Sequence, residues 1–134
     1  MSGQLTVFDL ARGAMSAQLV RMNAAASNLA NAGSVAGSES GAYRPIRAVF
    51  AQQLDRATGL IGVRVSGIMR EQTPSIKEHN PDHPMADTDG NVWSSPVDEN
   101  AESVEMLEAS RQYQNMVEAL STAKQLMLDT IRMK

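Results

Sequence analysis

The chain contains no cysteine among its 134 residues. Disulfides and thiolate metal sites are therefore excluded, and either redox compartment is tolerated. Aromatic residues make up only 4% of the sequence, although large aromatic side chains normally supply much of the area of a globular core. Apolar runs are a few residues long, far short of the roughly 20 that a membrane helix needs. We therefore expect no membrane insertion.

Clusters of positive charge are also missing. The formal net charge is −3, and without a basic run the sequence predicts no nucleic-acid binding. The first residues show no basic segment followed by an apolar one, so we expect no cleaved signal peptide. What is present is 43% hydrophobic and 20% charged residues, a composition typical of a folded chain of one ordinary domain.

The N-terminal part, residues 1–32, predicts one long helix. Apolar residues recur every three or four positions, which is the period of a helical stripe. Four of them lie seven apart: Phe8, Met15, Met22 and Leu29. Thr6 followed by Asp9 matches a capping box, and several alanines in the segment would let another backbone approach closely.

The middle of the chain, residues 42–97, predicts a small β-rich domain. Ile61, Val63 and Val65 alternate with smaller or polar residues, which indicates a strand. We expect shorter strands at 46–50, 76–78 and 91–94. A piece of this size builds only a small core. Before it, residues 33–41 contain three Gly and three Ser, which predicts a flexible loop.

The C-terminal part, residues 98–134, predicts a second long helix with Asp98 or Asn100 as its N-cap. Two interleaved heptad series predict a coiled-coil seam. The series are Met106, Tyr113, Leu120 and Met127, then Ala109, Met116, Ala123 and Thr130. The expected fold class is therefore α+β, with two long terminal helices packing as a coiled coil and a small β-rich middle domain.

The apolar surface of the C-terminal helix is wider than one partner helix needs. The free energy gained by burying its seam is about equal to the conformational entropy cost of ordering the helix, so one helix alone is only marginally stable. A helical stripe is more often an ordinary core face than an assembly face. The length of both helices beside so small a middle nevertheless favours burial against other subunits.

Chemical motifs in the sequence are weak. Placing Gly90 at position six of an EF-hand loop puts Met85 and Pro96 at ligand positions, which excludes calcium binding of that type. His79 and His83 have a zinc-like spacing for a helix, but intervening prolines argue against a helix there. No nucleophile context is visible. We therefore predict no catalytic residue, no metal site and no cofactor.

Five segments carry a family resemblance. Residues 26–32 (ASNLANA), with Tyr43-Arg44 after the Gly/Ser loop, resemble the N-terminal signature of flagellar axial proteins, the rod, hook and hook-associated subunits. Residues 105–114 (EMLEASRQYQ), with 122–124 (TAK), resemble the C-terminal signature of that family. Residues 80–90 (NPDHPMADTDG) look like the segment typical of FlgC-type proximal-rod proteins.

The resemblance implies a structural subunit of the flagellar basal-body rod that assembles with itself and with other rod proteins. It also implies contact with the adaptor between rod and MS ring, passage through the flagellar type III export apparatus, and a final place in the periplasm-spanning rod. Asn28 and Asn31 are expected either to cap the first helix or to bond to a neighbouring subunit. The predicted assembly interface is Phe8, Met15, Met22, Asn28, Leu29, Asn31, Met106, Tyr113, Met116, Leu120 and Met127.

Three other functions stay open from the sequence. The first is another axial rod or hook subunit, which would carry a different middle segment. The second is a helical export chaperone or other binding module, which predicts a stable, fully helical dimer. The third is an enzyme, and only the loop containing His79 and His83 suggests it.

Overall fold

Two long helices flank five strands in the computed structural model, which describes residues 6–133. The elements are α1 Val7–Ala30, β1 Val35–Ala36, β2 Ile46–Leu54, β3 Ile61–Arg70, β4 Ile76–His79, β5 Asn91–Ser94 and α2 Glu99–Arg132. The predicted α+β class, with helices towards both ends and a small β-rich middle, is confirmed. Residues 1–5 of the predicted first helix, and residue 134 of the second, lie outside the described residues.

Local capping explains where α1 begins. The Thr6 hydroxyl accepts a hydrogen bond from the Asp9 amide at 3.1 Å, and the Thr6 amide donates to the Asp9 carboxylate at 3.0 Å. This reciprocal pair is the predicted capping box. Hydrogen bonding by the Thr6 side chain lowers the pKa of Asp9. α1 ends at Ala30, two residues before the predicted end, with Asn31 as its C-cap.

The N-terminus of α2 is also capped as predicted. Asp98 is the N-cap, and its carboxylate accepts from the amides of Asn100 at 3.0 Å and Ala101 at 3.2 Å. Glu99 and Glu102 lie in the first turn and Arg132 in the last, an order that complements the helix dipole. Neither helix in the described range has a stretch apolar enough to span a bilayer.

The strands form two separate sheets. β2 and β3 pair as an antiparallel hairpin, from Ile46 opposite Arg70 to Leu54 opposite Ile61, with an irregularity between Val49 and Phe50. β1, β5 and β4 form a three-stranded antiparallel sheet in that order. The strands expected at 46–50, 61–66, 76–78 and 91–94 are confirmed, and β2 and β3 extend further than predicted.

The segment expected to be a flexible loop contains strand β1. Val35 pairs with Ser94, and Ala36 pairs with Trp93. Three Gly and three Ser in residues 33–41 gave this segment the composition of a linker. Two consecutive non-glycine residues are enough to pair with β5, and their partners are almost 60 residues away in sequence. No local signal predicts such a pairing.

α1 lies between α2 and the β2–β3 hairpin. Two contacts fix the relative direction of the helices. Arg21 of α1 bonds to Glu105 of α2. Seven residues further along α1, Asn28 bonds to Ile46, and the next residue, Arg47, bonds to Glu102, which precedes Glu105 on α2. Residue numbers therefore rise on α1 as they fall on α2, so the helices are antiparallel. Within residues 6–133, the three-stranded sheet packs closely against neither helix.

Candidate assembly interface

The buried positions of the two helices carry small or polar side chains. They are Ala17, Ala24, Ala25 and Asn28 on α1, and Glu102 and Ala109 on α2. Ala17, which is 3% exposed, lines a cleft between α1 and the hairpin together with Gly62 and Val63. Arg21 of α1 forms an ion pair with Glu105 of α2 at 2.7 Å, and Ala109, one turn further along α2, is 0% exposed. Small side chains at these positions let the neighbouring elements approach closely.

The four predicted heptad residues of α1 lie on the side of the helix away from Ala17. Phe8, Met15, Met22 and Leu29 are all half-buried. At 100° per residue they are displaced around the helix by roughly 100–180° from the buried Ala17, Ala24 and Asn28, and by roughly 40–100° from the buried Ala25. We call this line of four the α1 flank. It keeps apolar surface open to solvent in the single chain.

The predicted interface residues of α2 share the face that carries Ala109. Met106, Tyr113, Met116 and Leu120 are half-buried. Met127, the last of the series, is 51% exposed. The series therefore lies against α1 over its first part and leaves it before its last member.

The C-terminal end of α2 has no neighbour within the described chain. All ten residues from 124 to 133 are exposed, and we call them the free end. Its large apolar side chains are Leu126, Met127, Leu128, Ile131 and Met133, which are 40–87% exposed. Because Arg21 lies level with Glu105, Val7 at the start of α1 lies level with residue 119, and α2 runs on to Arg132. The end of α2 therefore projects past Val7 by roughly 20 Å.

Asn28 joins α1 to the hairpin. It is 0% exposed, and its side-chain amide bonds to both backbone groups of Ile46. Nδ2 donates to the carbonyl at 3.0 Å, and Oδ1 accepts from the amide at 2.9 Å. Oδ1 also accepts from the Tyr43 hydroxyl at 2.8 Å. Asn28 does not cap the helix, because these hydrogen bonds run to the chain that follows α1. Its expected bond to a neighbouring subunit stays a prediction.

Asn31 takes the capping role. It is the C-cap of α1, and its Nδ2 donates to the Ser27 carbonyl at 2.8 Å. The Ser27 hydroxyl lies 3.1 Å from the Tyr43 hydroxyl. The two asparagines of the 26–32 signature therefore stabilise the junction between α1 and the following chain.

A buried carboxylate, Glu102, connects α2 to the hairpin. Glu102 is 1% exposed, and its Oε1 accepts from Nη2 of Arg47. The same guanidinium donates from Nε to Glu71 at 2.7 Å. The bond to Glu102 raises the pKa of Arg47. The second oxygen of Glu102 is buried and has no hydrogen-bond partner among the described residues.

The sequence prediction missed this pair. One signal was available, since Glu102 lies seven residues before Ala109 and therefore continues the predicted heptad series toward the N-terminus. A charged residue at a seam position indicates a buried partner. That the partner is Arg47, 55 residues earlier, follows only from the tertiary structure.

The residues that suggested chemistry are engaged in turns. His79 Nδ1 lies 3.2 Å from the Asn91 side-chain oxygen, and His83 Nδ1 accepts from the Met85 amide at 3.0 Å. Asp87 accepts from the backbone amides of Asp89 and Asn91, as in an Asx turn. Among residues 6–133, no three His, Asp or Glu side chains are grouped to hold a metal ion.

Comparisons with known proteins agree with this architecture. A family profile described as "Flagella basal body rod protein" matches residues 8–37, and one described as "Flagellar basal body rod FlgEFG protein C-terminal" matches residues 88–133. The flagellar basal-body rod protein FlgC of Salmonella typhimurium is 43% identical over 129 residues, which cover 95% of each chain. The chain belongs to the FlgC family of flagellar basal-body rod proteins.

Further FlgC relatives support the assignment. FlgC of Yersinia enterocolitica is 44% identical over 129 residues, and FlgC of Buchnera aphidicola from Acyrthosiphon pisum is 34% identical over 130 residues, each covering 95% of both chains. The resemblance seen in the sequence is thereby confirmed. As a member of the FlgC family, the chain is a structural subunit of the basal-body rod and assembles with other rod components.

Proposed function

We propose that this subunit builds the proximal rod by packing α1 and α2 as a coiled coil whose open faces are covered by neighbouring subunits. The observation that carries the proposal is the free end of α2, residues 124–133, whose five large apolar side chains are all exposed. An isolated helical end of this kind is unstable in water. Contact with another subunit would remove its apolar side chains from solvent.

The α1 flank supplies the matching surface on the other helix. Phe8, Met15, Met22 and Leu29 are half-buried at a spacing of seven, the repeat that coiled-coil packing requires. Together with Met106, Tyr113, Met116, Leu120 and Met127, these residues form the proposed assembly interface. Asn28 and Asn31 belong to the proposed interface and support it from within the chain, because Asn28 fixes α1 to the hairpin and Asn31 caps the end of α1.

The chain divides by role into four parts under this proposal. Residues 1–32 and 98–134 are the axial helices, and residues 42–97 form a small β-rich unit outside them. Residues 33–41 connect the first helix to that unit. The close packing of the β2–β3 hairpin on α1 supports a fixed position of the hairpin relative to the axial helices.

The route and neighbours of the subunit belong to the same proposal. A rod component must leave the cytoplasm, and we propose passage through the flagellar type III export apparatus. The assembled subunit then lies in the periplasmic rod, with the adaptor to the MS ring as a neighbour. An extended apolar end that folds fully only against other subunits is compatible with export of an unfolded chain.

Rod incorporation of an α2 variant tests the proposal. We expect Met127→Asp to abolish swimming and to deplete the subunit from purified basal bodies, because a carboxylate would be buried without a partner. Ser121→Asp is the matched control, since it adds the same charge at an exposed polar position of the same helix. The variants are expressed in a strain lacking its own copy, and their amounts are measured by immunoblot of cells and of basal bodies.

Two results would oppose the proposal. One is normal swimming with Met127→Asp at normal subunit levels, which shows that the free end stays in solvent. The other is equal loss with Met127→Asp and Ser121→Asp, which shows a general sensitivity to charge on α2.

A further inference from the structure

A groove lined by arginine lies beside the junction of α1 and the hairpin. Its volume is about 620 Å³, and the polar side chains that line it include Ser34, Ser40, Tyr43, Arg44 and Arg70. No Asp or Glu lines it. A groove with two guanidinium groups and no carboxylate is suited to an anionic partner.

The two arginines are held in position without being neutralised. Nη1 of Arg70 donates to the Arg44 carbonyl at 3.1 Å, and its guanidinium carbon lies 5.6 Å from the centre of the Tyr43 ring. Arg44 makes only a long bond, 3.4 Å, to the Gln72 side chain. Neither arginine forms an ion pair within the described residues. Most of their donors therefore stay available.

Basic and acidic residues lie in different parts of the chain, so a second copy of the chain offers an anionic partner for the groove. Residues 42–77 contain six Lys or Arg and two acidic residues, whereas residues 78–110 contain nine acidic residues and no Lys or Arg. Within the second range, the turn segment 80–90 carries three aspartates, and we call it the acidic loop. Asp82 and Asp89 in it are exposed.

The acidic loop has a fixed shape. The Asn80 amide donates to the Gly90 carbonyl at 2.9 Å and closes the loop, and Gly90 adopts a φ of +76°. A side chain there would be strained and would also approach His79 and Pro81. Because the loop is ordered before it binds, docking it costs less conformational entropy.

We propose that the arginine groove of one copy binds the acidic loop of a second copy in the rod. The inference rests on the proposed rod function and adds a specific contact outside the axial helices. The acidic loop joins β4 to β5, whereas the groove is lined by β1. No residue of the loop lines the groove of its own chain, although the Met85 carbonyl of the loop lies against Gly37, next to the groove residue Ala36. Such a contact between two different surfaces repeats from copy to copy without closing on itself.

Cysteine cross-linking in assembled basal bodies tests the contact directly. The chain has no cysteine of its own, so only introduced thiols react with a maleimide cross-linker. Ser40→Cys places a thiol in the groove, and Thr88→Cys places one in the acidic loop. We expect a short bismaleimide to link copies carrying both changes into dimers and higher ladders, in a strain that makes only this version of the subunit.

Two kinds of control make the result specific. Each single variant should give no ladder, and Ser40→Cys with Ser121→Cys should give none, because residue 121 is exposed on α2 rather than in the loop. Adding Arg44→Glu and Arg70→Glu to the reactive pair should lower the yield of linked dimer several-fold, because the groove then repels the loop.

The outcome separates this contact from the rod function itself. Basal bodies that contain the double-cysteine subunit but give no ladder overturn the proposed contact and leave the rod function standing. A link from residue 40 to a different rod protein, in place of a second copy, also overturns it. If both the double-cysteine subunit and the unmodified chain are absent from basal bodies, the rod function itself is refuted.

Discussion

Arg47 at the start of β2 donates a hydrogen bond to Glu102 in the first turn of α2, and Glu102 is almost completely buried. The Arg47 side chain is 36% exposed, and its guanidinium also forms an ion pair with Glu71. This one side chain therefore connects the hairpin to α2, while α1 lies between them. The buried carboxylate has no other hydrogen-bond donor among the described residues.

We expect removal of Arg47 to cost much more than removal of Glu71. Arg47→Met leaves a buried carboxylate without a cation, which should lower the free energy of unfolding by about 2–4 kcal/mol. Glu71→Gln removes only the partly exposed side of the network and should cost less than about 1 kcal/mol. Urea unfolding followed by circular dichroism measures both changes.

A double variant separates the pair from its parts. Arg47→Met with Glu102→Leu removes both charges and should recover most of the stability lost in Arg47→Met alone. Additive losses in the double variant would show that the ion pair does not couple the hairpin to α2. The hydrogen bond to Glu102 raises the pKa of Arg47 above the ordinary value of an arginine. The stabilisation from Arg47 is therefore complete below that ordinary value and is lost only as the pH rises through the raised one.

Local signals in the sequence were sufficient for the elements and for their caps. The heptads predicted α2, the alternation after Ile61 predicted β3, and Thr6 with Asp9 predicted the start of α1. All three depend on residues within a few positions of one another. They are therefore readable before any tertiary structure forms.

Contacts between distant segments were not predictable in the same way. The face of α1 that carries Ala17, Ala24 and Asn28 is buried, although a hydrophobicity pattern favours the larger Phe and Met on the other side of the helix. Small side chains are buried there because the hairpin packs closely on this face, where Asn28 bonds to Ile46 and Ala17 lines a cleft with Val63. Under our proposal, the heptad spacing of the α1 flank serves contacts between subunits rather than the packing of the single chain.

The side-chain amide of Asn28 gives a second stability prediction. Asn28→Ala leaves the amide and carbonyl of Ile46 without their partner and removes one of the two hydrogen-bond partners of the Tyr43 hydroxyl. We expect a loss of about 2–4 kcal/mol in the free energy of unfolding, because partly buried groups would be left unpaired. Thermal unfolding of the purified chain should show the same direction.

Asn31→Ala is the natural control for Asn28→Ala. Asn31 is half-buried and donates one side-chain bond, to the Ser27 carbonyl, so its removal should cost about 1 kcal/mol or less. Equal losses in the two variants would contradict the role assigned to Asn28 in joining α1 to the hairpin. Both variants keep the length and charge of the chain.

The close approach of the two helices gives the third prediction. Ala109 is completely buried, whereas Ala119 is exposed on the same helix. Ala109→Leu should force the helices apart and lower stability by about 1–3 kcal/mol, and Ala119→Leu should stay within about 0.5 kcal/mol of the parent. Hydrogen exchange of α1 amides should accelerate in the first variant alone. If Ala109→Leu leaves both the stability and the hydrogen exchange unchanged, the small side chain of Ala109 does not set the distance between α1 and α2.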